Sequence, residues 1–396
     1  MTERIYYKDP TILAFEAKIV ETDTKDDLFI TVMDRTAFYP TSGGQLYDTG
    51  SLNDAKVVEV LEDNDRIIHY TKEGVGKVGD QVAGIIDKKR RQINRQNHTA
   101  QHILSQVFYR LYNLETVSVH LGEEYGAIEL NTNKMSPEQF LESEKLANEV
   151  VNSSLDIETL FIDSSDIDKY PLRKIPKRSG NIRIIKIGEF EYSACGGTHC
   201  NSSAEVGLIK LTETEKLRNH VLIKFLAGSL AFEDYSKRYD ITSRMTKIMT
   251  CNLNDIINKF ENLSEDNKGK KKQITQLNKE LMPVMIDKIV QNTEIIKDEN
   301  FVFKIIDEID KKLLNKIAIN ISENISGIAV ISSDSKLIIA IDKSIKLSAG
   351  EIAKAVSSKF NIKGGGNVLL AQMGGTSPDQ LDEIRDFIKE LVSNEL

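Results

Sequence analysis

The stretches Asn97-His98-Thr99-Ala100-Gln101-His102-Ile103 and, about a hundred residues later, Cys195-Gly196-Gly197-Thr198-His199 decide how this chain is read. Histidines four apart on a helix share one face, and a glycine pair lets a thiol and an imidazole turn toward the same ion. In a chain with six histidines and three cysteines, two such pairs predict one tetrahedral Zn2+ site made of His98, His102, Cys195 and His199. Cys200 is turned away by its adjacent position and is left out. Ligand number leaves the role of the zinc open. Four ligands close the shell, whereas three leave a water whose pKa falls toward about 7.

Working outward from the first stretch, Asp87 is a fitting N-cap and the helix is expected to run to about Asn113. On a helical wheel Ile93, Ala100, Ile103, Leu104, Val107, Phe108 and Leu111 form one apolar side. His98 and His102 fall opposite, beside Arg91, Arg95 and Ser105, so this face is predicted to present metal ligands and cations to an anionic partner.

Before that helix, Leu28, Ile30 and Val32 alternate with polar residues, and Gly43-Gly44, Gly50, Gly74, Gly76 and Gly79 mark turns, which predicts a small antiparallel β unit. After it, residues 127–130, 182–187, 207–211 and 221–225 read as strands, with a helix over 137–153. Leu253, Ile256, Phe260, Leu263, Ile274, Leu277, Leu281 and Val284 then follow steps of three and four, interrupted at Asn267 and Lys270. That segment is either one long helix or an antiparallel hairpin turning at 264–269. Strands at 328–331 and 337–341 and helices near 348–360 and 378–392 complete the chain. The expected fold class is α+β. It comprises an antiparallel β-barrel-like domain over 1–90, a zinc-binding α+β core over 91–230, a helical, coiled-coil-like linker over 231–297 and an α/β domain over 298–396.

Composition narrows the function classes. With 52 basic and 60 acidic residues the net charge is −8, so any polyanion is met locally rather than by the whole surface. Basic clusters stand at 88–95, at Arg173-Lys174 with Lys177-Arg178, and at 268–272. Three cysteines make no disulfide framework, and no apolar run is long enough to span a bilayer, so a cytoplasmic protein without a membrane partner is expected. No nucleophile elbow is present, which disfavours a covalent acyl-enzyme.

The two metal motifs, preceded by Ile184-Ile-Lys-Ile-Gly-Glu189, closely resemble those of the alanyl-tRNA editing proteins, whose module also occurs in alanyl-tRNA synthetase. The resemblance covers the whole chain. It includes the glycine-rich Phe38-Tyr-Pro-Thr-Ser-Gly-Gly-Gln45 and a C-terminal segment similar to the DHH-associated domain that ends the synthetase, which together mark the long form of the family. It implies zinc-dependent hydrolysis of tRNA(Ala) mischarged with serine or glycine. A pocket made for alanine discriminates weakly against small analogues, so a second, hydrolytic site is needed. It further implies that Thr41, Gly43, Gly44 and Gln45 shape the amino-acid pocket, that Thr99 and His120 act near the reacting ester, and that Arg91, Arg95 and Lys363, Gly364, Gly365 and Gly366 contact tRNA. A homodimer through the C-terminal domain is also implied. Two alternatives stand beside this reading: a non-catalytic tRNA-binding or assembly module with structural zinc, and a deacylase for another species such as Ser-tRNA(Thr). A synthetase catalytic domain is not expected upstream, because the β domain begins almost at Met1.

Overall fold

The computed structural model of the chain describes residues 1–395 apart from 177–179, 307–312 and 334. The Lys177-Arg178 half of one basic cluster lies outside the described residues. Two compact units are formed, Met1–Arg244 and Met245–Leu396.

In the first unit, six strands close into a barrel in the order Ala14–Lys25, Leu28–Met33, Arg66–Thr71, Ala55–Asp63, Gly50–Leu52 and Gln81–Ile86. Alternating residues such as Ile19, Met33, Val57, Ile67 and Val82 fill its interior. His69 sits there too, bonded through Nε2 to the Thr36 hydroxyl at 2.9 Å, and burial lowers its pKa to about 4, so it stays neutral.

The helix Lys88–Tyr112 leaves the barrel at Asp87, whose side chain accepts from the Arg90 N–H, and stops at Asn113 in the left-handed conformation. Its apolar side packs on a four-stranded antiparallel sheet ordered Ile209–Leu217, His220–Ala227, Gly126–Leu130 and Thr116–Leu121. The helix Pro137–Asn152, opened by a Ser136/Gln139 capping box, packs against the same core. A three-stranded sheet, Ile157–Asp163, Asn181–Ile187 and Glu191–Ala194, carries the chain into the Cys195 loop.

The polar side of the Lys88–Tyr112 helix is not a solvent-facing surface: His98, His102 and Ser105 are all buried. Arg91 is likewise no tRNA contact. Only 1 % exposed, it donates from Nη2 to Asp48 at 2.6 Å and from Nη1 to the Pro10 carbonyl at 2.8 Å, with the Ala37 carbonyl as a further acceptor. Asp48 also accepts from the Tyr39 N–H at 2.8 Å, so the pair fastens the helix to the barrel loops.

In the second unit one continuous helix, Ile256–Val290, runs through 264–269, so the hairpin alternative does not occur and Lys268–Lys272 forms no tip. Its 35 residues span about 52 Å. Met282, Ile286 and Ile289 pack it onto the following domain. There, six strands stand in the order Glu294–Ile296, Glu299–Ile305, Gly327–Ser333, Lys336–Ile341, Leu370–Gly374 and Lys363–Gly366. Glu299–Ile305 and Gly327–Ser333 are parallel, joined across the helix Leu314–Ile325, and the helices Ala349–Phe360 and Leu381–Glu395 build a second core with the sheet.

Breaking the Arg91–Asp48 pair strands a buried carboxylate. Arg91→Met is expected to lower unfolding free energy by about 3–5 kcal/mol, read by urea denaturation, whereas an RNA-facing arginine would leave stability unchanged.

Candidate metal centre

The i, i+4 spacing on the Lys88–Tyr112 helix stacks the His98 and His102 rings 5.2 Å apart and 8° from parallel. The loop after Ala194 brings the second pair to them. The Cys195 Sγ lies 3.3 Å from His98 Nε2, and the His199 ring is 4.5 Å from that of His98 and 5.0 Å from that of His102. One ligand atom from each of the four residues lies within 4.8 Å of every other. A tetrahedral zinc separates its donors by about 3.3–3.8 Å, so small side-chain adjustments complete the geometry.

The donor chemistry fits a cation. Both ring nitrogens of His102 and of His199 are buried without any hydrogen-bond partner, a costly arrangement unless a metal takes one lone pair from each ring. Burial alone would raise the Cys195 thiol, but His98, His199 and His102 outweigh it and hold the thiol well below its ordinary value, favouring the thiolate. Burial also works against charge on His102, yet Cys195 and Glu191 raise it to about 9. Burial, with the neighbouring imidazoles, keeps His199 well below the usual range.

A second layer fixes each ligand. Gln45 Oε1 accepts from His98 Nδ1 at 2.8 Å, which leaves Nε2 as the donor atom. Gln45 is itself held by the Thr198 N–H at 3.0 Å and bonds the Thr198 hydroxyl at 2.9 Å. The fully buried Glu191 stands 3.8 Å from His102 Nδ1, anchored by Arg173 at 3.3 Å and by Ser193. Arg183 Nη1 donates to the Cys195 and Gly197 carbonyls at 2.8 and 2.9 Å, and Arg95 Nε donates to the His199 carbonyl at 2.8 Å. Gly197 has no room for a side chain, since a Cβ there would lie inside the His98 imidazole.

Several candidates therefore act differently from their sequence reading. Gln45 is buried and orients His98 rather than lining an amino-acid pocket. Thr99 is also buried; its hydroxyl donates to the Arg95 carbonyl and accepts from the Cys200 N–H, so it braces the loop and faces no open space. Arg95 is paired with Glu205 at 2.9 Å as well as with His199, leaving it a positioning residue. His120 is exposed with its ring 6.2 Å from that of Tyr125, outside the four-residue cluster. Cys200 stays apart from the cluster, its thiol raised to about 11 by burial. Gly43 and Gly44 belong to a tight turn closed by reciprocal Ser42 and Gln45 backbone bonds, with φ of 58° and 83° at the two glycines, and Thr41 precedes it with its N–H donating to the Val60 carbonyl at 3.1 Å. A Cβ on Gly44 would stand 2.8 Å from the Val119 carbonyl. In the second unit, Lys363, Gly364, Gly365 and Gly366 form an exposed edge strand.

Glu191 and Arg183 were missed from sequence. Glu191, Ser193 and Cys195 alternate along one chain direction, a signal for one shared face, but Arg183 reaches Cys195 only through strand pairing. Beside the cluster, a cavity of about 620 Å3 opens onto Cys195 and Gly196, bordered by Arg4, Tyr7, Tyr39, Phe161 and Arg183. Gly197→Ala is expected to abolish stoichiometric metal binding while Cys200→Ala retains it, read as metal per chain by elemental analysis; equal metal in both would contradict the ligand assignment.

Comparison with known proteins agrees with this geometry. Residues 3–90 match the class II (A) tRNA synthetase family, residues 182–221 the second additional domain of threonyl and alanyl tRNA synthetases, and residues 298–394 the DHHA1 domain. Alanyl-tRNA editing protein AlaX-L of Pyrococcus horikoshii is 29% identical, with 100% of both chains covered. The alanine–tRNA ligase of Methanococcus maripaludis is 27% identical over 99% of this chain, but the chain spans only 44% of that ligase. The C-Ala domain of Aquifex aeolicus alanyl-tRNA synthetase shares 26% identity over 26% of this chain and 98% of its own, at a TM-score of 0.25, too low to bear on the fold. The chain is thus similar from end to end to an alanyl-tRNA editing protein, and it carries regions matching three domain families in this order.

Proposed function

We propose that the protein hydrolyses the ester of tRNA(Ala) mischarged with serine, and with glycine as a second substrate. The observation that carries this reading is the convergence of four donor residues, one of which, Cys195, borders a cavity of about 620 Å3. His98, His102, Cys195 and His199 would hold Zn2+, which when bound supplies Lewis acidity toward a carbonyl oxygen or water. The chain's own residues prepare the site. Gln45 and Glu191 set the imidazole orientations, and Arg183 and Arg95 hold the loop. The turn carrying Gly43 and Gly44, with Thr41 before it, stands where Ser42 borders the cavity, and is the proposed contact for the amino-acid side chain. A polar group there would pair with the serine hydroxyl and be left unpaired by alanine.

One observation favours a second reading. A complete set of four Cys and His donors is the pattern of structural zinc, so a tRNA-binding module without hydrolysis is the rival. Incubation with Ser-, Gly- and Ala-tRNA(Ala) and with Ser-tRNA(Thr) decides between them. The expected result is loss of the first two esters, intact Ala-tRNA(Ala) and Ser-tRNA(Thr), and dependence on re-added zinc after chelation. Tight binding without ester loss would establish the module instead.

The second unit suits RNA and self-association. The exposed Lys363–Gly366 strand offers bare backbone to phosphates. On the Ile256–Val290 helix, Phe260, Leu263, Ile274, Leu277 and Leu281 are exposed in one row, although together they make a large apolar surface. The positions 253, 256, 260, 263, 267, 270, 274, 277, 281 and 284 alternate steps of three and four and read alike in both directions about the point between Lys268 and Gly269. In an antiparallel pair of identical helices Phe260 therefore meets Leu277, Leu263 meets Ile274, Asn267 meets Lys270, and Lys259 faces Glu280. A parallel pair would set Lys270 against its own copy. A Cys251→Ser chain carrying both Leu263→Cys and Ile274→Cys is expected to oxidise to a covalent dimer, and either cysteine alone is not; crosslinking by the single variants would contradict the antiparallel register.

A further inference from the structure

Tyr7 borders the cavity beside Cys195 and Gly196, carried there by the short helix Ile5–Lys8. Its ring lies under two guanidinium groups, with Arg4 5.2 Å and Arg183 5.0 Å from the centroid. Arg4 Nη1 donates to the Tyr7 hydroxyl oxygen at 2.8 Å. A guanidinium only donates, so that oxygen is the acceptor and its own proton points elsewhere. Among the described residues no group accepts it. Tyr39, the neighbouring phenol, differs because its proton is taken by the Ser42 carbonyl at 3.0 Å.

The free donor stands next to the reacting region. A Cβ placed on Gly196 would be 3.2 Å from the Tyr7 hydroxyl, beside the residue that follows Cys195. The surroundings are also positive. Arg4 is neutralised by Glu62 and Asp65, but the buried Arg183 has no carboxylate partner among the described residues and is pinned by the Cys195 and Gly197 carbonyls. The N–H groups of Gly197 and Thr198 are already used by Cys195 Sγ and Gln45 Oε1, so the loop backbone at those two positions has no donor left for substrate. A negative charge developing in the cavity needs another donor.

We infer that Tyr7 is a further catalytic residue of the deacylation proposed above, donating its hydroxyl hydrogen bond to the ester carbonyl oxygen as that oxygen gains charge. When a water oxygen bonds the carbonyl carbon, the carbonyl electron pair moves onto the oxygen held by Tyr7, with the Arg183 charge behind it. The carbonyl then re-forms, the bond to the ribose oxygen breaks, and the ribose oxygen departs with a proton from the attacking water. Tyr7 keeps its proton throughout, and Arg4 acts as a positioning residue by holding the phenol oxygen.

Steady-state deacylation of Ser-tRNA(Ala) by the full chain tests this. Tyr7→Phe preserves the ring and is expected to lower kcat about 10²-fold with KM nearly unchanged and with full metal content and thermal stability. Arg4→Met should cost less, and combined with Tyr7→Phe it should add almost nothing, since both act through one hydroxyl. A Tyr7→Phe protein that matches the unmodified chain, or that has lost its metal, overturns the assignment to Tyr7 alone. An unmodified chain that cleaves no mischarged tRNA overturns both this inference and the reading on which it rests.

Discussion

Desolvation of the four ligand residues governs the first unit. Placing three imidazoles and a thiol within 4.8 Å of one another, away from water, is unfavourable unless a cation occupies their common centre. The neighbours show the same requirement. Glu191 sits buried beside His102 and Gln45 spends its amide oxygen on His98, arrangements that orient metal ligands and raise their basicity. Because a site of this kind is absent from an unfolded chain, a metal bound there would couple its binding to folding of the core.

That constraint explains the order of the chain. The helix contributes two ligands at fixed spacing, but their second-layer partners come from distant segments: Gln45 from the barrel, Glu191 and Arg183 from the three-stranded sheet. The Gly43-Gly44 turn places Gln45, the Arg91–Asp48 pair fixes the helix on the barrel, and Gly197 lets the loop lie against His98. Each piece is local in sequence and is given meaning by a contact tens to more than a hundred residues away, as in the Gln45–Thr198 pair separated by 153 positions.

The same distinction marks what could be read without coordinates. Spacing alone picked out the two pairs that the fold gathers into one cluster, Asp87 and Asn113 marked both ends of the helix that carries the first pair, and apolar runs located strands such as Asn181–Ile187 and Lys336–Ile341. Long-range pairing escaped. Arg91 reads as a cation for RNA until Asp48 is found against it, and Thr99 reads as a catalytic hydroxyl until its partners prove to be backbone. Asn267 and Lys270 left a hairpin open beside one long helix because they interrupt an apolar seam. On a helix whose seam is exposed, polar residues at those positions cost little, and the helix continues.

The central claim is that His98, His102, Cys195 and His199 bind one metal together, and Co2+ substitution followed by optical spectroscopy tests it most directly. The account predicts one cobalt per chain, the absorption of a tetrahedral ion and a thiolate charge-transfer band that disappears in Cys195→Ser. Failure to bind cobalt, or an octahedral spectrum that Cys195→Ser leaves unchanged, would contradict it.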